Sequence, residues 1–209
     1  MNQKNGKNSL GLDKCFDEID NPVELFKKWF NKATQTEIND PNAVAVATAD
    51  ENNQPSVRMV LLKGLNDKGF VFYTNFNSKK GAELKKNKKA SMCFHWKSLR
   101  RQVRITGLVE EVSNKEADDY YNSRPYKNKI GAWASSQSNV LDKREDFLEK
   151  IEKFKKKYPD ENVPRPPHWS GWRLIPNEIE FWLDGEGRIH ERLNYKKSSG
   201  KWKKILLYP

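Results

Sequence analysis

A chain of 209 residues is long enough for one substantial domain with its own core. Hydrophobic residues make up 36% and aromatic residues 11% of it, which excludes a disordered composition and favours a packed interior. The formal charge of +11 points to anionic partners, but lysine runs at 85–86, 88–89, 155–157 and 203–204 read equally as a solvated surface, so charge alone does not select nucleic acid.

Residues 1–20 are polar and aperiodic, and are expected to form a mobile arm ahead of a single domain over 21–209. Asn21 caps the first predicted helix, Pro22 suits its first turn, and Glu24 stands at capping-box spacing. Val23, Phe26, Phe30 and Ala33, joined by Leu25 and Trp29, form its apolar stripe. Three β-rich runs follow at 43–49, 56–63 and 70–74. Turn-prone segments at 52–55 and 66–69 separate them, so they predict an antiparallel meander. A short helix begins at Ser78, and strands are expected at 90–96 and 102–112. Ser113 and Glu116 open a helix that runs through Tyr121 and ends before Pro125. A longer charged helix is expected at 142–158, and the Pro-rich stretch 163–167 is a rigid connector. Strands at 172–175, 179–183 and 188–195, with a turn at 184–187, precede a last strand at 201–208.

Many short turn-linked strands with few interspersed helices define a mainly β, α+β chain, an antiparallel barrel closed or partly closed with peripheral helices. Neither a GxGxxG motif nor a P-loop occurs, which argues against a doubly wound sheet. Cys15 and Cys93 form no CxxC pair, and His95, His168 and His190 lack metal-ligand spacing, so neither a disulfide framework nor a metal site is expected. With no apolar signal core and no run of roughly 18 apolar residues, a cytoplasmic protein without a membrane span is expected.

Four clusters carry chemistry. If residues 188–195 form a regular strand, Arg188, His190 and Arg192 share one face at intervals of roughly 6.5–7 Å, either around an anion or as a solvated face with Glu partners. In RMVLLK (58–63) a regular pleat sends Arg58 and Lys63 to opposite faces. Action on one ligand then requires a bulge or a strand end; otherwise the two are edge charges packed over the core. Tyr73, Thr74 and Asn75 lead into Ser78, Lys79 and Lys80, where a helix N-terminus suits a phosphate or is simply capped. Tyr120 and Arg124, at i and i+4, aim from one helical face at an anion or form a surface pair.

Together these clusters resemble the pyridoxine/pyridoxamine 5'-phosphate oxidase family, from about Pro22 to Pro209. IEFW (179–182) followed by RIHER (188–192) is the most specific part. RMVLLK (58–63), FYTN (72–75), RRQVR (100–104), NSRP (122–125) and GAWASSQS (131–138) occur in the family's order. The resemblance implies an FMN-binding split β-barrel that works as a homodimer with flavin sites at the subunit interface. It implies FMN contacts from Arg58, Met59, Val60, Leu61, Leu62, Lys63, Tyr73, Thr74, Lys79, Lys80, Gln102, Gln137, Ser138, Trp182 and Arg192. Lys63, Tyr120, Arg124 and Asn128 are implied to hold the substrate phosphate, while Arg188, Ile189 and His190 face the pyridine ring, Arg188 and His190 as the catalytic pair. The implied reaction oxidises pyridoxamine 5'-phosphate or pyridoxine 5'-phosphate to pyridoxal 5'-phosphate and reduces dioxygen to hydrogen peroxide. Two phosphorylated ligands require two basic clusters, which accounts for Arg58 and Lys63 serving different groups. The chain departs from the family at Lys79 (commonly Arg), Asn128 (commonly Ser), Leu183 (commonly polar or small) and Leu206 (commonly Arg). The alternatives are a flavin reductase on the same barrel and a basic barrel that binds nucleic acid. The first predicts FMN binding without pyridoxamine phosphate oxidation, and the second predicts salt-dependent oligonucleotide binding.

Overall fold

The structure, a computed structural model, describes Phe16 and residues 19–209; most of the expected N-terminal arm therefore lies outside the described residues. Helix α1 (Pro22–Thr36) starts at Asn21, whose side chain accepts the Val23 N–H at 2.9 Å. Glu24 does not reach back to complete the capping box; its carboxylate pairs instead with Lys27 at 2.8 Å. Leu25, Phe26, Trp29 and Ala33 are fully buried, so α1 fills the inside of the curled sheet. Phe26 meets Phe70 and Phe94 edge-on at 4.9 and 5.0 Å, and Trp29 meets Phe181 at 5.2 Å. Each such buried ring contributes roughly 2–3 kcal/mol. Phe16 stacks on Trp29 at 5.4 Å, and the Ile19 carbonyl accepts the Tyr195 hydroxyl at 2.7 Å, so the chain is fastened to the core just ahead of α1.

Among the described residues nine antiparallel strands form one sheet: β1 (Ala43–Ala49), β2 (Pro55–Leu61), β3 (Gly64–Asn66), β4 (Gly69–Asn75), β5 (Lys89–Trp96), β6 (Arg101–Glu111), β7 (Trp169–Leu183), β8 (Glu191–Ser198) and β9 (Lys201–Leu207). The order is β2-β1-β5-β6-β7-β4-β3, and β8 and β9 branch from β7. β7 pairs with β6 over 172–183, with β4 over 169–174 and with β8 over 178–183. The sheet therefore splits at the middle of β7, where Thr106 faces Glu178 and Gly107 faces Pro176, leaving Asn177 as an extra residue. Strands expected at 172–175 and 179–183 are one strand carrying this bulge. Pro176 is tolerated at such a point because a bulge needs no ladder donor. A Cβ on Gly107 would lie 2.0 Å from the Ile175 carbonyl oxygen, so the close approach requires glycine.

Helix α2 (Lys79–Lys86) is capped by Ser78, and α3 (Asn114–Asn122) by Ser113, whose hydroxyl accepts the Glu116 N–H at 3.2 Å. Helix α4 (Tyr126–Ala134) was not expected. It has no side-chain cap and carries Gly131 inside, so neither a start signal nor a clean periodicity marks it. Helix α5 (Arg144–Lys157) buries no residue. The predicted strand 188–195 is corrected: Glu186–Arg188 is a 3-10 turn and β8 begins at Glu191. Gly187 and Arg188 take φ of 64° and 65°, which breaks the pleat, so Arg188, His190 and Arg192 do not alternate along one strand face.

Candidate active site

A cleft of about 1160 Å³ opens between β2, the end of β4, α2, α3 and α4. It exceeds the roughly 300–1,000 Å³ usual for one small ligand. Six cations line it: Arg58, Lys63, Lys79, Lys80, Arg124 and Lys127. Among the described residues lining it there is no carboxylate. Of the expected cofactor contacts, Arg58, Met59, Val60, Leu61, Lys63, Tyr73, Thr74, Lys79, Lys80, Gln137 and Ser138 line this cleft; so do Tyr120, Arg124 and Asn128. Leu62 does not; it is 5% exposed within the core, and its N–H and carbonyl are bonded to Asn42 at 2.8 and 3.0 Å. Arg58 and Lys63 reach one cleft because β2 ends at Leu61 and Lys63 lies beyond the pleat, its N–H donating to the Val71 carbonyl at 2.8 Å.

Lys80 is 7% exposed. Its ammonium donates to Thr74 Oγ1 at 3.0 Å, Ser78 Oγ at 3.2 Å and Gln137 Oε1 at 3.2 Å, all neutral acceptors. Burial, helped by the nearby Arg58 charge, pulls its pKa down from 10.5 to about 8. A buried cation held only by neutral groups is a place for an anion. Arg58 is held more firmly. Nη1 donates to Thr48 Oγ1 at 2.5 Å, and Nη2 to Ser56 Oγ at 2.6 Å and Glu83 Oε2 at 3.1 Å. Glu83 on α2 is 5% exposed; burial alone would raise its pKa, but bonds from Thr48, Ser56 and Arg58 outweigh that and lower it. Nothing in the local sequence marks Glu83, which reads as one more charge on a lysine-rich helix.

At the other end of the cleft the Tyr73 ring stacks on Tyr120 at 4.0 Å and on Trp169 at 5.3 Å. The Arg124 guanidinium lies 4.7 Å from the Trp169 ring, and its Nη1 is buried without a hydrogen-bond partner. Burial raises the Tyr73 pKa to about 12 and depresses that of Arg124. Arg173 fixes α3 beneath this stack, its Nη2 donating to both Glu116 oxygens at 2.8 and 2.7 Å. Trp169, Arg173 and Glu116 carried no signal in the sequence beyond core aromatics and a helix cap.

Gln102, Trp182, Arg188, Ile189, His190 and Arg192 do not line the cleft of their own chain. They form a second group on β6, β7, β8 and the turn before β8, where Gln102 faces Trp182 and Trp182 faces Arg192 across the ladder, while Arg188, Ile189 and His190 lie in the turn. Arg192 is held by Glu180 at 2.8 and 3.1 Å and by the Tyr208 carbonyl at 2.9 Å. Burial pushes the Glu180 pKa up, but bonds from Arg192 and Arg104 overcome it and leave it lowered. The His190 ring lies 4.6 Å from Trp182. Arg188 and Ile189 are exposed. Among the described residues, no group of His, Cys, Asp and Glu is placed to hold a metal ion, and no helix is long and apolar enough to cross a membrane.

A mainly antiparallel split barrel with a wide cationic cleft and a separate group of aromatic and cationic side chains offers a site suited to an anionic ligand. A family profile described as pyridoxamine 5'-phosphate oxidase matches residues 30–158, and one described as pyridoxine 5'-phosphate oxidase C-terminal dimerisation region matches 169–209. The chain belongs to the pyridoxine/pyridoxamine 5'-phosphate oxidase family, a family of oxidoreductases. It is 66% identical over 208 residues to the pyridoxine/pyridoxamine 5'-phosphate oxidase of Pelagibacter ubique, covering 98% of this chain and 100% of that one. Identity to the Agrobacterium fabrum oxidase of the same name is 54% over 196 residues, covering 93% and 95%. The fold is similar to PhzG from Burkholderia lata, solved with tetrahydrophenazine-1-carboxylic acid, at a TM-score of 0.89 and 30% identity over 95% and 97% of the two chains. A pyridoxamine 5'-phosphate oxidase-related, FMN-binding protein from Nostoc punctiforme matches in fold, with a TM-score of 0.73, 15% identity and coverage of 90% and 98%.

Proposed function

We propose that the chain oxidises pyridoxamine 5'-phosphate and pyridoxine 5'-phosphate to pyridoxal 5'-phosphate with FMN as cofactor. Dioxygen is the final acceptor and becomes hydrogen peroxide. The carrying observation is the wide cleft with six cations, no lining carboxylate among the described residues, and a buried Lys80 held only by neutral groups. That donor set fits a flavin phosphate: Lys79, Lys80 and Arg58 supply charge, and Thr74, Gln137 and Ser138 supply hydrogen bonds. The 58–63 segment, with Met59, Val60 and Leu61, suits the flat ring. Bound there, FMN would supply an acceptor for the electron pair leaving the substrate's exocyclic carbon and a route for that pair to dioxygen. Lys63, Tyr120, Arg124 and Asn128 hold the substrate phosphate, and Arg124 Nη1 keeps a donor that no protein group takes.

The second group completes each site from a second copy of the chain: Gln102, Trp182 and Arg192 against the flavin, Arg188, Ile189 and His190 against the pyridine ring. A homodimer is supported by the dimerisation-region match over 169–209 and by an apolar stripe on β2, where Val57 and Met59 are 68% and 63% exposed. Arg188 clamps the substrate, and His190 takes a hydrogen bond or proton from it. Pyridoxine phosphate loses two hydrogens to dioxygen; the amine also consumes one water and releases ammonia. A second reading, oxidation of a different ring compound, is favoured only by the likeness to PhzG. Against it stands the Tyr120–Arg124 group, which a substrate without a phosphate leaves unused. Purified protein supplied with FMN and pyridoxamine 5'-phosphate in air tests the proposal. Pyridoxal 5'-phosphate and peroxide should appear in equal amounts; FMN binding without either product rejects it.

A further inference from the structure

Next to the proposed catalytic histidine lies a carboxylate that the family resemblance does not assign. Asp184, at the end of β7, is itself clamped: its N–H donates to the Arg100 carbonyl at 3.0 Å, and its Oδ2 accepts from Arg100 Nε at 2.6 Å. The other oxygen, Oδ1, stands 3.0 Å from His190 Nδ1. The two oxygens divide the work, one anchoring the carboxylate and the other facing the imidazole. The turn between them closes tightly, since a Cβ on Gly185 would fall 1.8 Å from the Ile189 carbonyl oxygen. That closure returns His190 to Asp184 only six residues later, while the Trp182 ring limits the imidazole on a further side. Side-chain exposure is 20% for His190 and 23% for Asp184, so the contact is partly shielded from water.

His190 Nδ1 has two suitors. The Gly185 N–H lies 3.2 Å from it and requires a lone pair there, whereas the Asp184 carboxylate requires a proton. One ring nitrogen cannot do both. A carboxylate 3.0 Å from a lone pair is repelled, and a charge-assisted bond is about twice as strong as a neutral one, so the proton belongs on Nδ1.

We propose that Asp184, anchored by Arg100, is a positioning residue that fixes neutral His190 as the Nδ1–H tautomer and leaves Nε2 as a bare acceptor toward the substrate. The role in turnover rests on the reaction proposed above; the tautomer does not. With Nε2 unprotonated, His190 accepts a hydrogen bond or proton from the substrate, whereas the other tautomer presents an N–H and cannot.

The test uses uniformly 15N-labelled, FMN-loaded protein and long-range proton–nitrogen correlation of the imidazoles, in slightly alkaline buffer. The chain has three histidines, so loss of one pattern in His190→Gln assigns the signal. Wild type should show a protonated Nδ1 and an unprotonated Nε2. Asp184→Ala should move the proton to Nε2, with Nδ1 then accepting from Gly185. The same variant should lose roughly 10- to 100-fold in kcat with little change in KM or FMN affinity, and the isosteric Asp184→Asn should recover part of the loss. A wild-type His190 protonated at Nε2 overturns the proposal, as does an Asp184→Ala protein that loses stability and rate without changing tautomer. A wild type that shows the Nδ1–H form yet yields no pyridoxal 5'-phosphate supports the positioning and rejects the reaction instead.

Discussion

Replacing Lys80 with Met separates binding from folding. The ammonium is 7% exposed, donates to three neutral oxygens and has its pKa pulled from 10.5 to about 8 by burial. That displacement corresponds to roughly 3 kcal/mol of unfavourable charging at neutral pH, and to about half as much once solvent at the cleft mouth is allowed for. Methionine keeps the length and removes the charge, while Thr74, Ser78 and Gln137 each lose one donor. The two effects offset, so the cofactor-free variant should unfold within about 1 kcal/mol of wild type. FMN affinity should fall by roughly 10- to 150-fold, the worth of one charge-assisted bond of about 1.5–3 kcal/mol. Quenching of flavin fluorescence on titration gives the affinity, and thermal melts of apoprotein give the stability. The sign of the pH dependence follows from the lowered pKa. Between about pH 8 and 10.5 the unfolded chain holds a proton that the folded apoprotein lacks, so Lys80 makes apoprotein stability rise with pH across that window. FMN affinity falls as pH rises through about 8. FMN binding within threefold of wild type, or a variant destabilised by more than about 2 kcal/mol, would refute the reasoning.

Arg124→Met should raise KM for pyridoxamine 5'-phosphate by roughly 10-fold or more while FMN affinity holds, since the guanidinium stacks on Trp169 away from Lys80; steady-state kinetics and flavin titration check both. Arg188 has a φ of 65°, which costs a non-glycine residue about 1 kcal/mol. Arg188→Gly should therefore melt no lower than wild type yet lose turnover far more than FMN binding, and equal losses in both would remove Arg188 from its assigned role. Glu83 and Glu180 both have lowered pKa values, so each contributes stability present above the ordinary carboxylate value of 4.5 and lost as pH falls below it. Glu83→Gln should cost about 2 kcal/mol at pH 7, by depriving Arg58 of its partner, and should flatten the decline seen in melts from pH 6 to pH 3.

Periodicity and caps made much of this fold readable. β1 is the run expected at 43–49, and the Asn21, Ser78 and Ser113 caps start the helices foreseen for them. The misreadings share a cause, local signals overridden by tertiary pairing. Pro176 and Asn177 look like a break between two strands, but the long β6 ladder carries β7 through them as a bulge. RIHER alternates like a strand, yet positive φ at Gly187 and Arg188 turns it into a tight corner. α4 lacks a cap, so its helix rests on burying Ile130 and Ala134. At the candidate site the motifs marked many of the residues that line the cleft but not those that hold them in place. Glu83 behind Arg58 and Arg173 behind α3 come from distant elements, and their pairing exists only once the sheet has formed; Asp184 is six residues from His190, and the two meet only because the turn at Gly185 closes tightly.

The central claim is that one chain carries two half-sites, the cleft and the Arg188–His190 group, and that each working site takes one half from each of two copies. Mixing Arg124→Met and Arg188→Ala chains during refolding, then assaying pyridoxal 5'-phosphate at low substrate, measures this directly. Either variant alone has no intact site. In a mixed dimer one site combines both defects and the other combines two unaltered halves, so random pairing should restore about one quarter of wild-type activity. Activity no higher than the average of the two separate variants would mean that each site lies within a single chain, and the account would be wrong.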